Sequence, residues 1–205
     1  MDRITRIKNL LFYPNTFFSE ITKEKENLTW PAVIVMFGGI STVISAIIST
    51  AFSHPSSVNS AFVNLSTALT NSYIFNFIIP FVMWAVASVA IYAISRRFSG
   101  RGSLKATFQN IGYGTLPTSL FWALSYFLTT ITILTQTPIT SFPDNPFVHA
   151  SIVFGMISPV FFVWSWYLWV CGARQTHEIP LKNAILAVAF AVVLQGTANL
   201  AGLYF

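Results

Sequence analysis

The strongest constraint on this chain is the placement of its eleven Lys and Arg residues between long apolar stretches. Five stretches, 30–52, 73–95, 108–134, 150–171 and 183–205, can each supply a helix across the roughly 30 Å bilayer core, which takes about 20 mostly apolar residues. Arg3, Arg6, Lys8, Lys23 and Lys25 precede the first stretch. Arg96, Arg97, Arg101 and Lys105 lie between the second and third, and Arg174 and Lys182 between the fourth and fifth. The two remaining loops carry no Lys or Arg. Five crossings therefore put every base on one side, and the positive-inside rule predicts a cytoplasmic N-terminus and an external C-terminus in the cell membrane. Composition agrees, with 54% hydrophobic and 8% charged residues against about 25% charged in soluble domains. The expected fold is an all-α, polytopic membrane protein: residues 30–205 form a five-span domain and residues 1–29 a cytoplasmic interfacial segment. The net charge of +5 follows this one-sided distribution, so nucleic acid is not an expected partner.

Ahead of the first span the chain divides at Pro14. Ile4, Ile7 and Leu11 recur at helical spacing among Arg3, Arg6 and Lys8, and Phe17, Phe18 and Ile21 form a second apolar cluster. Both pieces read as amphipathic helices lying in the headgroup boundary, where apolar faces enter the lipid and bases meet anionic headgroups. The first 25 residues mix charges of both signs without a central apolar run, so no removable signal peptide is expected.

Small residues mark helix contacts. Gly38, Ser41, Ser45 and Ser49 in the first span, and Ala187, Ala191, Ala198 and Gly202 in the last, let another backbone approach closely. Close helix packing explains both faces without a ligand, and a homo-oligomer stands among the candidate partners. The external segment 53–72 places Val58, Phe62, Leu65 and Leu69 on one helical face, and 135–149 reads as a Pro-rich turn. A shift of 77 residues superposes Val86 on Val163, Ser88 on Ser165, Arg97 on Arg174, Leu104 on Leu181 and Lys105 on Lys182. The shared pattern is a helix, an Arg at its basic end, a short loop, and Leu-Lys opening the next helix.

No Asp, Glu, Lys or Arg lies deep in a span, whereas ion-coupled carriers and proton pumps usually need one. The polar groups at depth are amides and hydroxyls: Asn76, Gln109, Asn110 and Gln195 are the candidate intramembrane polar residues. Gln195 is expected to bond another helix rather than a substrate. No catalytic, cofactor-binding or metal-binding set is read from the sequence. His177-Glu178 reads as a solvated interfacial pair, the aromatic run Phe161 to Trp169 as a belt at the headgroup boundary, and Cys171 as a small hydrophobe.

In the third span, Gly112-Tyr113-Gly114 evokes a potassium filter, but it follows Lys105 closely, on the basic side, and no pore helix precedes it. The glycines permit close packing, and Pro117 removes the bond to the carbonyl of Tyr113, so the stretch predicts a packed kink.

Pro14-Asn15-Thr16-Phe17-Phe18, the basic loop leading into Leu104-Lys105, Ile111 to Pro117 with its Gly-Tyr-x-x-x-Pro element, and Leu181-Lys182-Asn183-Ala184 together resemble the Yip-domain family. The resemblance covers nearly the whole chain. It implies five spans with a cytoplasmic N-terminus, and for eukaryotic members Rab-type GTPase partners and vesicle traffic. The chain departs from those members in lacking an Asp-Leu-Tyr-Gly-Pro element ahead of the first span, and so looks more like the archaeal and bacterial branch.

Two functions are carried forward. One is a non-catalytic scaffold or adaptor that engages membrane lipids, or a membrane or cytoplasmic protein partner, from the cytoplasmic side. The other is a small transporter or channel with a kinked third helix and a path along Asn76, Gln109, Asn110 and Gln195.

Overall fold

The computed structural model describes residues 3–52, 73–135 and 146–200, and all its regular structure is helical. In chain order the helices are α1 (Arg3–Phe12), α2 (Pro14–Ile21), α3 (Thr29–Phe52), α4 (Tyr73–Arg97), α5 (Leu104–Gly114), α6 (Leu116–Thr135), α7 (Pro146–His177) and α8 (Leu181–Leu200). The expected external helix in 53–72 lies outside the described residues, as does the greater part of the Pro-rich turn.

Local chemistry sets several boundaries. Pro14 opens α2 in its first turn, where a missing N–H costs nothing. Ser103 caps α5 by accepting the Ala106 N–H at 2.9 Å. Just past α4 and α7, Ser99 and Glu178 take positive φ values of 61° and 53°, the left-handed conformation that stops a helix.

Five helices pack in a ring: α3 on α4, α4 on α8, α8 on α7, α7 on α6, and α6 back on α3. Inside that ring, at the end carrying the basic loops, α5 packs on α3, α4 and α7. Its Ile111 packs in one buried cluster with Trp84 and Ile91 of α4 and Trp169 and Ala173 of α7, and α8 brings Ala184, Ala187 and Ala191 close on one small-residue face. The two hairpins of the 77-residue pattern pack reciprocally, since α4 touches α8 while α7 touches α5. Within α4, Pro80 cannot donate to the carbonyl of Asn76. The hydroxyl of Thr42 on α3 lies 2.8 Å from it and 2.7 Å from the Gly39 carbonyl of its own helix, one proton shared between the two. A Cβ at Gly39 would stand 2.9 Å from the Phe77 carbonyl, so the two backbones meet there.

Tyr73–Arg97 and Ile152–His177 are long and apolar enough to cross a bilayer, and Thr29–Ile44 and Leu181–Thr197 are shorter apolar stretches. Only 28% and 17% of the two long apolar windows are buried in the protein. A core helix of a water-soluble protein buries most of such a window, so these exposed apolar faces suit a lipid surrounding. The second helix, 26 residues and thus about 39 Å, is longer than the roughly 30 Å core, and Arg174 and His177 stand in its last turn.

The structure differs from two sequence expectations. Phe17, Phe18 and Ile21 do not enter the headgroup layer: they are buried against Leu168 and Cys171 of α7, with Phe17 edge-on to Tyr113 at 5.2 Å. Protein surface outcompetes lipid here because α2 finds a ready apolar groove. Only one side of the run Phe161 to Trp169 is free to form the expected belt. Helical periodicity turns Ser165, Leu168 and Trp169 inward, the last 6% exposed, and leaves Tyr167 outward at 49%.

Candidate functional site

At the basic end, the loop between α4 and α5 closes over the last turn of α7. A Cβ on Gly102 would stand 2.5 Å from the Thr176 carbonyl, and one on Gly100 2.7 Å from the Ser95 carbonyl and 2.9 Å from Cβ of His177. Only glycine fits at either place. Arg101 N–H donates to the His177 carbonyl at 3.2 Å, and Arg96 Nη1 to the Gly100 carbonyl at 3.0 Å.

His177 is 1% exposed, which corrects the expectation of a solvated pair: Glu178 remains at the surface while the imidazole turns inward. The Thr107 hydroxyl lies 2.9 Å from the Ser103 carbonyl and 2.9 Å from His177 Nε2. Nδ1 is buried without a partner. Burial pushes the His177 pKa down to about 4, and the Arg96 guanidinium acts in the same direction.

Gln109 and Asn110 join this cluster. Gln109 Oε1 accepts the Asn27 N–H at 2.8 Å, and Ser103 donates its hydroxyl to Glu26, so α5 holds the strap between α2 and α3. Asn110 Nδ2 donates to Thr176, whose hydroxyl donates to the Gly172 carbonyl at 2.7 Å. Both amides border a small cavity of about 140 Å³ beside Glu24 and Glu26. Arg97, Lys105, Arg174 and Lys182 are exposed around this end.

The Gly-Tyr-Gly stretch forms the other end of α5. A Cβ on Gly112 would stand 2.6 Å from Pro31, and one on Gly114 2.4 Å from Trp169. Thr115 N–H closes the helix on the Ile111 carbonyl at 3.1 Å. Pro117, buried at the start of α6, supplies no N–H to the Tyr113 carbonyl. The neighbouring Thr118 N–H turns to Ser165 Oγ on α7 at 3.2 Å. Trp84 Nε1 of α4 donates to the Phe108 carbonyl at 2.9 Å and pins the middle of α5.

Beyond the end of α5 the ring surrounds a half-open cavity of about 670 Å³, to which all five ring helices contribute. Asn76 and Gln195 line it, and Gln195 Nε2 donates to the Met83 carbonyl at 3.1 Å. The four polar residues expected on one path are thus divided: Asn76 and Gln195 face the central cavity, while Gln109 and Asn110 belong to the basic end. Sequence reasoning missed Thr42, Thr107 and Ser165 and the inward role of His177. The four-residue spacing from Asn76 to Pro80 did signal a carbonyl in need of a donor, although only the fold identifies Thr42.

The Yip1 domain family model matches residues 8–203. The chain is 33% identical over 104 residues to an uncharacterized protein of Methanocaldococcus jannaschii, covering 51% of this chain and 74% of that one. No solved structure matches it. With lipid-facing apolar helices and a family match across almost its whole length, the chain belongs to the Yip1-domain family of membrane proteins.

Proposed function

We propose that the protein is a non-catalytic membrane adaptor whose working face is the basic end. The supporting observation is the way α1 and α2 are built onto that end. Phe17 and Phe18 anchor the segment to the bundle, while Ile7, Phe12 and Tyr13 stay exposed, Phe12 at 67%. Exposed Lys8, Lys23 and Lys25 stand along the same segment. An apolar rim flanked by bases suits an anionic headgroup surface or a membrane-bound protein partner. In this reading residues 30–205 make five spans, with the N-terminus and both basic loops cytoplasmic, the C-terminus outside, and Gly112 to Pro117 a packed kink that seats α5.

The test combines Ile7→Ser, Phe12→Ser and Tyr13→Ser, which alter the rim without touching the buried anchor, with crosslinking in native membranes. Loss of a discrete protein or anionic-lipid adduct is expected; an unchanged adduct pattern would remove the basis of the reading. For topology, single cysteines at Lys25 and Asp144 in a Cys171→Ala background should label from the cytoplasm and from outside, respectively. The second reading, a small transporter, draws on the central cavity and the break between α5 and α6. It predicts solute flux in liposomes that Gln195→Leu reduces.

A further inference from the structure

Along the axis of the bundle, α1 and α2 form a hairpin of defined depth. A Cβ on Gly114 would stand 3.4 Å from Leu168 Cβ, and Phe17 lies edge-on to the neighbouring Tyr113 at 5.2 Å, so Phe17 is level with Leu168 of α7. Phe18 is level with Gly172, where an added Cβ would stand 3.4 Å from its ring. Ile21 borders the small cavity together with Thr176. Helix α2 therefore climbs beside α7 toward the basic end, and its start at Pro14 lies deepest. Helix α1 returns along it, with Leu10 buried beside Phe17 and Phe18. Arg6 Nη2 stands 2.8 Å from Glu24 Oε1, although the 18 positions between them would set them about 27 Å apart in one straight helix. The Arg6–Glu24 pair thus closes the open end of the hairpin, and Phe12, Tyr13 and Pro14 form its tip.

Tip and open end carry different chemistry. Phe12 and Tyr13 are exposed at 67% and 58%. Next to Leu168, Tyr167 also turns outward, as aromatics do at the headgroup boundary. From Leu168 to the end of α7 at His177 is about 13 Å, so the tip stands well below the bases. At the open end, exposed Lys23 and Lys25 flank Glu24. Lys8 on α1 is exposed as well, and its four-carbon stem lets the ammonium rise toward them. Apolar groups below and bases above repeat the layering of one leaflet, acyl chains below phosphates. That order favours lipid over a protein partner, whose surface need not be layered along the membrane normal. We propose that the hairpin is a wedge in the cytoplasmic leaflet, its tip at the headgroup–acyl boundary and its lysines on the phosphates of anionic lipids. The wedge rests on the adaptor reading, in which the basic end is the working face, and commits that face to lipid.

The test places a fluorophore on single cysteines introduced as Phe12→Cys, Lys25→Cys and Phe190→Cys, the last on an exposed site of α8. The background is Cys171→Ala, and the buried Cys171 stays in place where that change does not fold. The full chain sits in nanodiscs of phosphatidylcholine and phosphatidylserine, one of the two lipids carrying a nitroxide on its acyl chain just below the headgroup. Position 12 should be quenched strongly and position 25 weakly. At position 12, labelled phosphatidylserine should quench about threefold more than labelled phosphatidylcholine. Combining Lys8→Gln, Lys23→Gln and Lys25→Gln, or raising the salt, should abolish that preference. Position 190 should be quenched equally by both lipids. Equal quenching by the two lipids at position 12, or quenching there no stronger than at position 25, overturns the wedge. The adaptor reading fails separately: it survives either result while Ile7, Phe12 and Tyr13 still govern a protein adduct, and falls when that adduct is missing too.

Discussion

The two ends of α5 face opposite kinds of protein interior. At its start, Gly100 and Gly102 press on Thr176 and His177, and hydrogen bonds from Ser103, Thr107, Gln109 and Asn110 tie the strap, the loop and α7 together. At its finish the helix simply stops, and five helices stand around open space with an aromatic lining. One half of the bundle is locked by polar contacts at van der Waals distance. The other is held at its periphery around the cavity.

That contrast can be broken by substitutions of graded effect. Phe18→Ala empties the seat of α2 on α7 and should cost about 3–5 kcal/mol, read as a large drop in denaturant midpoint of the reconstituted protein. Gly102→Val or Gly114→Val should cost about 3 kcal/mol by overpacking. At the open positions, Gly196→Ala should instead be neutral or stabilise its helix by about 0.5–1 kcal/mol. Equal losses at Gly102 and Gly196 would erase the distinction between the two halves.

His177 supplies a pH test of the locked end. Its pKa is about 4 in the folded protein and about 6.5 when unfolded, so between these values the unfolded chain binds more protons. Stability should be full above about pH 6.5, fall as pH drops toward about 4, and level below that. His177→Gln should flatten this slope in thermal unfolding scans of nanodiscs. Smallest is Thr42→Val, which removes the interhelical donor to the Asn76 carbonyl and should cost about 0.6 kcal/mol.

Much of the framework was legible because it rests on local or one-dimensional signals. Apolar runs marked the helices, the one-sided bases marked a single end, and Pro14 and Pro117 marked breaks through their missing N–H groups. The burial of His177 was not legible, because it depends on glycines some 75 residues away in sequence that let one loop close on α7. Nor was the central cavity, since Asn76 and Gln195 look like Gln109 and Asn110 until the length of α5 decides which pair it covers. Eleven residues reach about 16 Å, and the void begins where they end.

The claim that the basic end is the working face is tested most directly by placing a photoreactive phenylalanine analogue at Phe12, and separately at the exposed Phe190 of α8, in native membranes. The account predicts discrete headgroup or protein adducts from position 12 that disappear when Lys8, Lys23 and Lys25 are changed to Gln, and only acyl-chain adducts from position 190. Identical acyl-chain adducts from both positions, unaffected by the three lysine substitutions, would contradict it.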